Sequence, residues 1–292
     1  MIDKFLEYLQ LERNYSPKTV LSYGKDLNAF ESYFKNLNDE LTWESVDSDV
    51  IRDWMESMMD KGNNATSINR RLSALRSFYR FALMRHFVDH NPAHYIQGPK
   101  KEKPLPKFIK EADMDRLMEP EMWGNSFVDI RARTIILTLY TTGIREAELV
   151  GLDDQSIDFV NSQMKVTGKR NKQRVIPFGK ELAEELRRYI AIRDEQIPRQ
   201  TTALFVSNKG LRIPPKNIDP IVRKGLGKVT TQKKRSPHVL RHSFATAMLN
   251  HDAGIESVQK LLGHDSLTST EIYTHTTFEQ LKRVYKNTHP RG

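Results

Sequence analysis

The chain has 292 residues, 38% of them hydrophobic, so it is longer than a typical single domain and apolar enough to bury ordinary cores. Lysine and arginine exceed aspartate and glutamate by nine, and the pI of about 9.5 favours a polyanionic partner, although a merely soluble basic protein fits the charge equally well. The sequence contains no cysteine, which excludes a disulfide framework and thiolate metal sites.

The opening residues, MIDKFLEYLQ, carry charges throughout and lack the basic and apolar regions of a signal peptide. No stretch of the sequence approaches the ~20 apolar residues that a membrane-spanning helix requires. We therefore expect a cytoplasmic protein without a membrane partner.

The first third of the chain is predicted to be helical, because its apolar residues recur at helical spacing. Ser16 and Pro17 have the pattern of an N-cap followed by proline at the first helical position. A later helix, from about residue 64 to 87, alternates apolar residues with arginines and has no acids to balance them. We predict that its basic side contacts duplex DNA through Arg70, Arg71 and Arg76, with a solvated helix surface as the alternative.

The segment 91–110, NPAHYIQGPKKEKPLPKFIK, breaks the helical pattern with four prolines. Proline blocks a helix, and the lysines keep the segment extended and solvated. We therefore predict a helical domain at 1–98, a basic linker at 99–110 and a second domain at 111–292.

The second domain is predicted to combine helices with a few short strands. Helical patterns cover Phe127 to Tyr140 and a segment near 180–193. Residues 163–167 and 173–178 flank the turn 168–172, which indicates a β-hairpin with a basic tip. The predicted fold class is mainly α with a small β-sheet, in which a helical domain precedes an α+β domain.

Two features near these elements have more than one interpretation. Arg145 and Glu148 lie three residues apart in a helix that follows Gly143, which alone indicates a surface ion pair of small value. Lys169, at the hairpin tip, is either part of a solvated turn or a mobile lysine that protonates a leaving group. No local signal separates these alternatives.

The segment SPHVLRHSFAT is more specific, because Ser236 and Pro237 start a helix that carries His238 and Arg241 on its first turns. A helix start attracts anions, and an imidazole and a guanidinium there favour a phosphate site. A buried histidine bonded to the backbone is the alternative. His238 and His242 also have zinc-ligand spacing, but the glutamate of the HExxH motif is missing and Arg241 opposes a metal.

The segment LLGHDSLTSTEIYTH adds His264 and Tyr273, although composition does not distinguish Tyr273 from the other tyrosines. Together with Arg145, Arg241 and His238, His264 offers the charge stabilisation that many nucleic-acid enzymes obtain from Mg²⁺. The sequence shows no close carboxylate cluster and no glycine-rich loop for ATP or a dinucleotide. A phosphoryl transfer without metal or ATP needs a covalent nucleophile, such as a tyrosine hydroxyl.

In these motifs the sequence resembles the tyrosine recombinase (phage integrase) family, and within it most closely the bacterial Xer recombinases. The resemblance covers essentially the whole chain, from the opening helices and basic linker to the closing HPR. Between them stand TGIRxxEL, GKxNKxR, SPHxLRHSFAT and LGHxSLxxTxIYTH, in that order. The resemblance implies a core-binding (SAM-like) DNA-binding domain followed by a tyrosine recombinase catalytic domain.

The resemblance also implies the reaction. Arg145 and Arg241 clamp the scissile phosphate, Tyr273 attacks it, and Lys169 is the general acid for the 5′-hydroxyl. The product is a 3′-phosphotyrosine intermediate. A 5′-hydroxyl of a partner duplex then attacks this intermediate, which reverses the reaction and rejoins the strand. Cleavage and rejoining conserve bond energy, so we expect no cofactor and no metal.

Further residues are assigned by the same resemblance. His238 assists proton transfer, His264 hydrogen-bonds the phosphate, and Glu148 supports the site. Two positions depart from the usual Xer pattern: Arg170 replaces a glycine after the hairpin lysine, and Asp265 replaces a serine that often follows the histidine. Near the hairpin we predict two additional DNA contacts, Lys172 and Arg174.

The family acts as a tetramer on two paired DNA sites and passes through a Holliday junction. The resemblance implies a recombination site on double-stranded DNA, a homo- or heterotetramer with a second Xer-type recombinase, and a DNA translocase of the FtsK type as partners. Phe278, Leu281 and Val284 recur at helical spacing near the C-terminus. This amphipathic helix either docks on a neighbouring protomer or packs on its own domain.

Several functions compete at this stage. Within the enzyme class, a recombinase that resolves chromosome dimers competes with the integrase of a mobile element. A non-catalytic architectural DNA-binding protein is a second class, disfavoured by the complete set of catalytic residue types. A type IB topoisomerase, with similar chemistry but no sequence specificity, is a third.

Overall fold

The computed structural model describes residues 1–101, 107–168, 171–263 and 275–292, with the backbone alone for 275–279. The chain divides into two compact units, Met1–Pro104 and Leu105–Gly292. Each unit has its own hydrophobic core. No helix within the described ranges is long and apolar enough to cross a membrane.

The first unit is helical. Its helices are α1 (Ile2–Glu7), which continues as a π-helical turn (Tyr8–Glu12), α2 (Pro17–Leu37), α3 (Ser48–Asp60) and α4 (Ala65–Met84). The predicted start of α2 is confirmed, because Pro17 is its first residue and the Ser16 hydroxyl accepts a hydrogen bond from the Thr19 N–H at 3.3 Å. Asn64 caps α4 in the same way, through the Ser67 N–H at 2.9 Å.

The arginines of α4 are engaged within this unit. Arg70 and Arg71 both contact the buried carboxylate of Asp26 on α2, at 2.9 Å and 3.7 Å. Arg76 donates to the carbonyl oxygens of Ala93 and Ile96. One acid from another helix therefore pairs with two of these arginines, which corrects the interpretation that they lack acidic partners, whereas their contacts with DNA remain a prediction.

The second unit combines eight α-helices with one sheet in its described residues. The helices are α5 (Glu111–Met118), α6 (Phe127–Thr142), α7 (Glu146–Val150), α8 (Lys180–Gln196), α9 (Ile218–Leu226), α10 (Pro237–Asn250), α11 (Ile255–Leu262) and α12 (His275–Thr288). The antiparallel sheet has the order β1 (Ile157–Asp158), β2 (Gln163–Thr167) and β3 (Gln173–Pro177). The predicted fold class and hairpin are confirmed.

Helix α6 forms the centre of this unit and is buried along most of its length, packed by α8, α9 and α10. Four buried threonines on it donate their hydroxyl protons to carbonyl oxygens four residues earlier, at 2.5–2.8 Å. These hydrogen bonds offset the desolvation free energy of the buried threonine hydroxyl groups. The helix ends at Gly143, whose φ of +62° lies in the left-handed region.

Helix α12 packs on its own unit. Leu281 and Tyr285 belong to the core of the second unit, and Val284 packs against it. Beyond the helix, Arg291 ion-pairs with Asp115 on α5 at 2.8 Å and with Glu181 on α8. Of the two alternatives for the C-terminal helix, the structure shows the second, packing on the same domain.

Candidate active site

The site begins where α6 ends. The left-handed turn at Gly143 directs the chain into α7, and Arg145 is the residue that precedes the first turn of that helix. Glu148 accepts a hydrogen bond from the backbone N–H of Arg145 at 2.8 Å and a second one from its side-chain Nη1 at 3.0 Å. Local chain geometry therefore holds Arg145 to Glu148 through both its backbone and its side chain.

Glu148 is buried, so its contact with Arg145 is not the surface ion pair that the spacing alone indicated. Its two carboxylate oxygens also accept hydrogen bonds from Nη1 and Nη2 of Arg174 on β3, at 2.7 Å and 2.9 Å. Burial would raise the pKa of Glu148, but the hydrogen bonds and charges of Arg174 and Arg145 outweigh it and hold the pKa below its ordinary value. Glu148 is therefore ionised at neutral pH.

Arg241 joins the site from α10. Its guanidinium donates to the carbonyl oxygen of Gly143 at 2.6 Å and to that of Leu262 at 2.7 Å. Burial, together with the positive charges of Arg145 and Arg174, lowers the pKa of Arg241 to about 10. It is still charged at neutral pH, and an anion that approached these arginines would relieve their mutual repulsion.

Three consecutive carbonyl groups at the end of α11 bring the arginines together. Leu261, Leu262 and Gly263 accept hydrogen bonds from Arg174 (3.0 Å), Arg241 (2.7 Å) and Arg145 (3.1 Å), respectively. The last carbonyls of a helix have no partner within it and carry partial negative charge, which guanidinium groups satisfy. The sequence did not reveal this arrangement, because it depends on contacts between distant parts of the chain.

His238 occupies the first turn of α10, where the sequence placed it, and it is exposed. The alternative of a buried histidine is therefore wrong. Ser236 and Pro237 begin α10 as predicted, but within the described part of the chain the Ser236 hydroxyl accepts no hydrogen bond from the helix. An exposed imidazole at a helix start retains the features that favour a phosphate site.

Three predicted catalytic residues, Lys169, His264 and Tyr273, lie outside the described residues, as do the departures at Arg170 and Asp265. Their roles remain predictions. The described chain does show where these segments begin, because Gly168 and Gly263 directly precede Lys169 and His264.

The predicted DNA contacts differ in their surroundings. Lys172 is exposed on the hairpin. Arg174 is buried and engaged with Glu148 and Leu261, so it lies inside the site and not on the surface of the hairpin, where the sequence-based interpretation put it. The available signal for this burial was that Arg174 lies two residues before Ile176, so both side chains point to the same, buried side of the strand.

A basic groove on the second unit was missed by the sequence analysis. It has a volume of about 780 Å³ and lies along α9 and the segment that follows. Its charged lining consists of Asp219 and five basic residues: Lys216, Arg223, Lys224, Lys228 and Arg235. Lysines and arginines that recur at helical spacing from 216 to 228 were the available signal, and such a surface suits a phosphate backbone.

Both units match known domain families. Residues 107–280 match the phage integrase family, and residues 2–86 match the N-terminal SAM-like domain of phage integrases. These matches together cover most of the chain, in the order that the sequence predicted.

Whole-chain relatives agree with these matches. The tyrosine recombinase XerC of Pelotomaculum thermopropionicum is 38% identical over 301 residues, covering 100% of this chain and 98% of that protein. The tyrosine recombinase XerD of Oceanobacillus iheyensis is 32% identical over 294 residues, with coverage of 100% and 98%. The fold is similar to the crystal structure of the XerH site-specific recombinase bound to palindromic difH substrate, with a TM-score of 0.73, 20% identity and coverage of 97% and 83%. The chain therefore belongs to the phage integrase family, the tyrosine recombinases.

Proposed function

We propose that this chain is an Xer-type site-specific recombinase that cuts and rejoins duplex DNA through Tyr273. The observation that carries the proposal is the meeting of Arg145 and Arg241 at the end of α11. That end leads directly into the segment with His264 and Tyr273. Two guanidinium groups at the end of α11, and a tyrosine in the sequence that follows it, are the parts that a phosphodiester transesterification needs.

The proposed chemistry follows from charge. When the Tyr273 hydroxyl attacks phosphorus, negative charge develops on the non-bridging oxygens, and Arg145 and Arg241 stabilise it. His238 accepts the tyrosine proton, and the bond from phosphorus to the 5′-oxygen breaks. Lys169 supplies the proton that the leaving 5′-oxygen takes up.

The second half of the reaction is the reverse of the first. The phosphotyrosine bond stores the energy of the broken phosphodiester, so a 5′-hydroxyl from a partner duplex can restore the DNA backbone without ATP. Exchange of one strand pair at a time produces a Holliday junction. A protomer is needed at each of four cleavage positions, which implies a tetramer on two paired sites.

The biological setting is proposed from the relatives. Proteins named XerC and XerD both match this chain along its full length, which favours a chromosomal recombinase that resolves chromosome dimers in the cytoplasm. Its partners would be a double-stranded DNA site, a second Xer-type recombinase and a translocase of the FtsK type. The basic groove along α9 supports binding of duplex DNA.

Covalent trapping tests the proposal. Nicked suicide duplexes that carry candidate recombination sites lose a short 5′-hydroxyl fragment after cleavage, so the intermediate accumulates. Without added metal or ATP, we expect a covalent protein–DNA adduct on a denaturing gel, joined to the 3′ end of the cleaved strand. Tyr273→Phe should bind the same duplex and form no adduct, because the attacking hydroxyl is absent.

The competing functions give different results in the same assay. An architectural protein binds DNA and gives no adduct on any site. A type IB topoisomerase forms adducts on duplexes without a recombination site. Equal adduct formation by Tyr273→Phe would overturn the assignment of the nucleophile.

A further inference from the structure

A buried ion pair connects three parts of the site that are distant in sequence. Arg174 on β3 donates from both Nη atoms to Glu148 on α7, and from Nε to the carbonyl oxygen of Leu261 at 3.0 Å. The side chains of Arg174 and Glu148 are only 8% and 2% exposed. All three nitrogens of this guanidinium are therefore committed to fixed partners on α7 and α11.

Glu148 transmits this constraint to Arg145. It accepts two hydrogen bonds from Arg174 and two from Arg145, one of which comes from the Arg145 backbone. A carboxylate has about four lone-pair positions, so these donors saturate it and fix its orientation. The Arg145 side chain is 40% exposed, which leaves part of its guanidinium open to a ligand.

Two glycines pack closely against the same pair. A Cβ atom on Gly168 would lie 3.1 Å from Oε1 of Glu148, and a Cβ atom on Gly263 would lie 3.1 Å from three atoms of the Arg174 guanidinium. Gly168 directly precedes Lys169, and Gly263, with a φ of +65°, directly precedes His264. The described residues that directly precede both predicted catalytic residues thus lie against the Arg174–Glu148 pair.

We infer that Arg174 is a positioning residue. It orients the phosphate-clamping Arg145 through Glu148, and it fixes the points from which the segments with Lys169 and His264 depart. The inference rests on the proposed function, since it assigns Arg174 to the same reaction. Lysine cannot replace it, because a single ammonium group does not offer the two parallel donors and the separate Nε donor used here.

A purely structural ion pair is the competing explanation, and the chain offers a matched control for it. Arg193 on α8 is also fully buried, ion-pairs with Asp154 and Asp194 at 2.8 Å each, and donates to the carbonyl oxygen of Leu204 at 2.7 Å. Arg193→Lys and Arg174→Lys therefore disturb comparable networks in the same unit, but only Arg174 contacts the site. Both variants should lose stability, whereas only Arg174→Lys should lose catalytic rate.

The experiment measures single-turnover cleavage of a suicide duplex by the full chain, with protein in excess and at a temperature where circular dichroism shows each variant to be folded. Two substrates are compared, one with the natural 5′-oxygen at the scissile bond and one with sulfur there. Sulfur leaves without protonation, so its use removes the need for the general acid. A Lys169→Ala variant should therefore recover its rate on the sulfur substrate.

For Arg174→Lys we expect a rate about 10- to 100-fold below that of the unsubstituted protein on the natural substrate, because small misplacements of reacting groups have effects of this size. DNA affinity should change little. The sulfur substrate should restore only part of the rate, since Arg145 is misplaced as well as Lys169. Arg193→Lys should cleave at the unsubstituted rate on both substrates.

A folded Arg174→Lys that cleaves at the unsubstituted rate would overturn the inference, and full recovery on the sulfur substrate would overturn the connection to Arg145. If Arg174→Lys does not fold, Glu148→Gln replaces it in the experiment, because glutamine has nearly the same shape as glutamate. The cleavage rate of Glu148→Gln must then recover only in part on the sulfur substrate. Absence of any adduct with the unsubstituted protein would instead count against the proposed function. The two failures are thus distinguishable.

Discussion

Gly143 shows how a single residue determines the position of a predicted catalytic group. Its φ of +62° ends α6, and its carbonyl oxygen accepts a hydrogen bond from Arg241. A Cβ atom at this position would lie 2.5 Å from the ring of Phe244 and 2.9 Å from Leu262. Any larger residue at this position would therefore have a strained backbone conformation and would overlap with side chains of the core.

We expect Gly143→Ala to lower the free energy of unfolding by about 2 to 4 kcal/mol, since left-handed strain and overpacking add. Urea denaturation measures this change. Gly62→Ala is the control, because its φ of +76° gives the same strain while no atom lies within 4 Å of the added Cβ. Its cost should be about 1 kcal/mol. Equal losses in the two variants would show that the contacts with Phe244 and Leu262 have no effect.

Among the helices and strands, caps and turns formed by residues close together in the sequence were predictable. Contacts between elements that are distant in the sequence were not. Ser16–Pro17 and the hairpin at 163–177 follow from local residue preferences. Strand β1 has only two residues, Ile157 and Asp158, which is too short for a recognisable alternation. Strand β1 forms because it pairs with the edge of β2 in an antiparallel arrangement.

The same distinction applies to the site. The sequence predicted Arg145, Glu148 and Arg241 from their motifs, and the structure brings them together. It did not predict that Arg174 is buried against Glu148, since nothing local to residue 174 indicates which acid lies opposite. Similarly, Asp26 on α2 ion-pairs with Arg70 and Arg71 of α4, which were interpreted as unpaired. Tertiary contacts of this kind depend on how whole helices pack.

The C-terminal element is held by a buried histidine. His289 follows α12, stacks on Tyr285 and Phe244 with ring centroids 5.3 Å apart, and contacts the edge of Tyr140. Burial lowers the pKa of His289 to about 3; a backbone hydrogen bond with Tyr140 opposes this shift, and the charges of Arg291 and His251 add to it. The folded chain therefore keeps this imidazole neutral in mildly acidic solution.

Below pH ~6.5 the unfolded chain gains a proton at His289 that the folded chain does not, so stability falls as the pH falls toward the folded pKa. We expect the unsubstituted protein to lose up to about 1.4 kcal/mol of unfolding free energy per pH unit relative to His289→Phe over this window. Urea denaturation of both proteins at pH 7 and at pH 5 measures the difference. Parallel pH profiles would contradict the burial of a neutral histidine.

At the scale of the whole molecule, both units contribute basic residues and the net charge is +9. The first unit belongs to the SAM-like class found at the N-terminus of phage integrases, and the second contains the site and the basic groove along α9. The match of the first unit to that SAM-like class favours a site-specific recombinase over a topoisomerase. In the proposed function, catalysis depends on one tyrosine among ten.

Mapping the covalent attachment tests that dependence most directly. Trypsin cuts after Lys260 and Lys282, and Tyr273 is the only tyrosine between them. We predict that mass spectrometry of the digested adduct, after nuclease trimming of the DNA, finds a nucleotide joined through its 3′-phosphate to the peptide 261–282. A nucleotide on any other peptide, or on a serine or threonine of this one, would contradict the account.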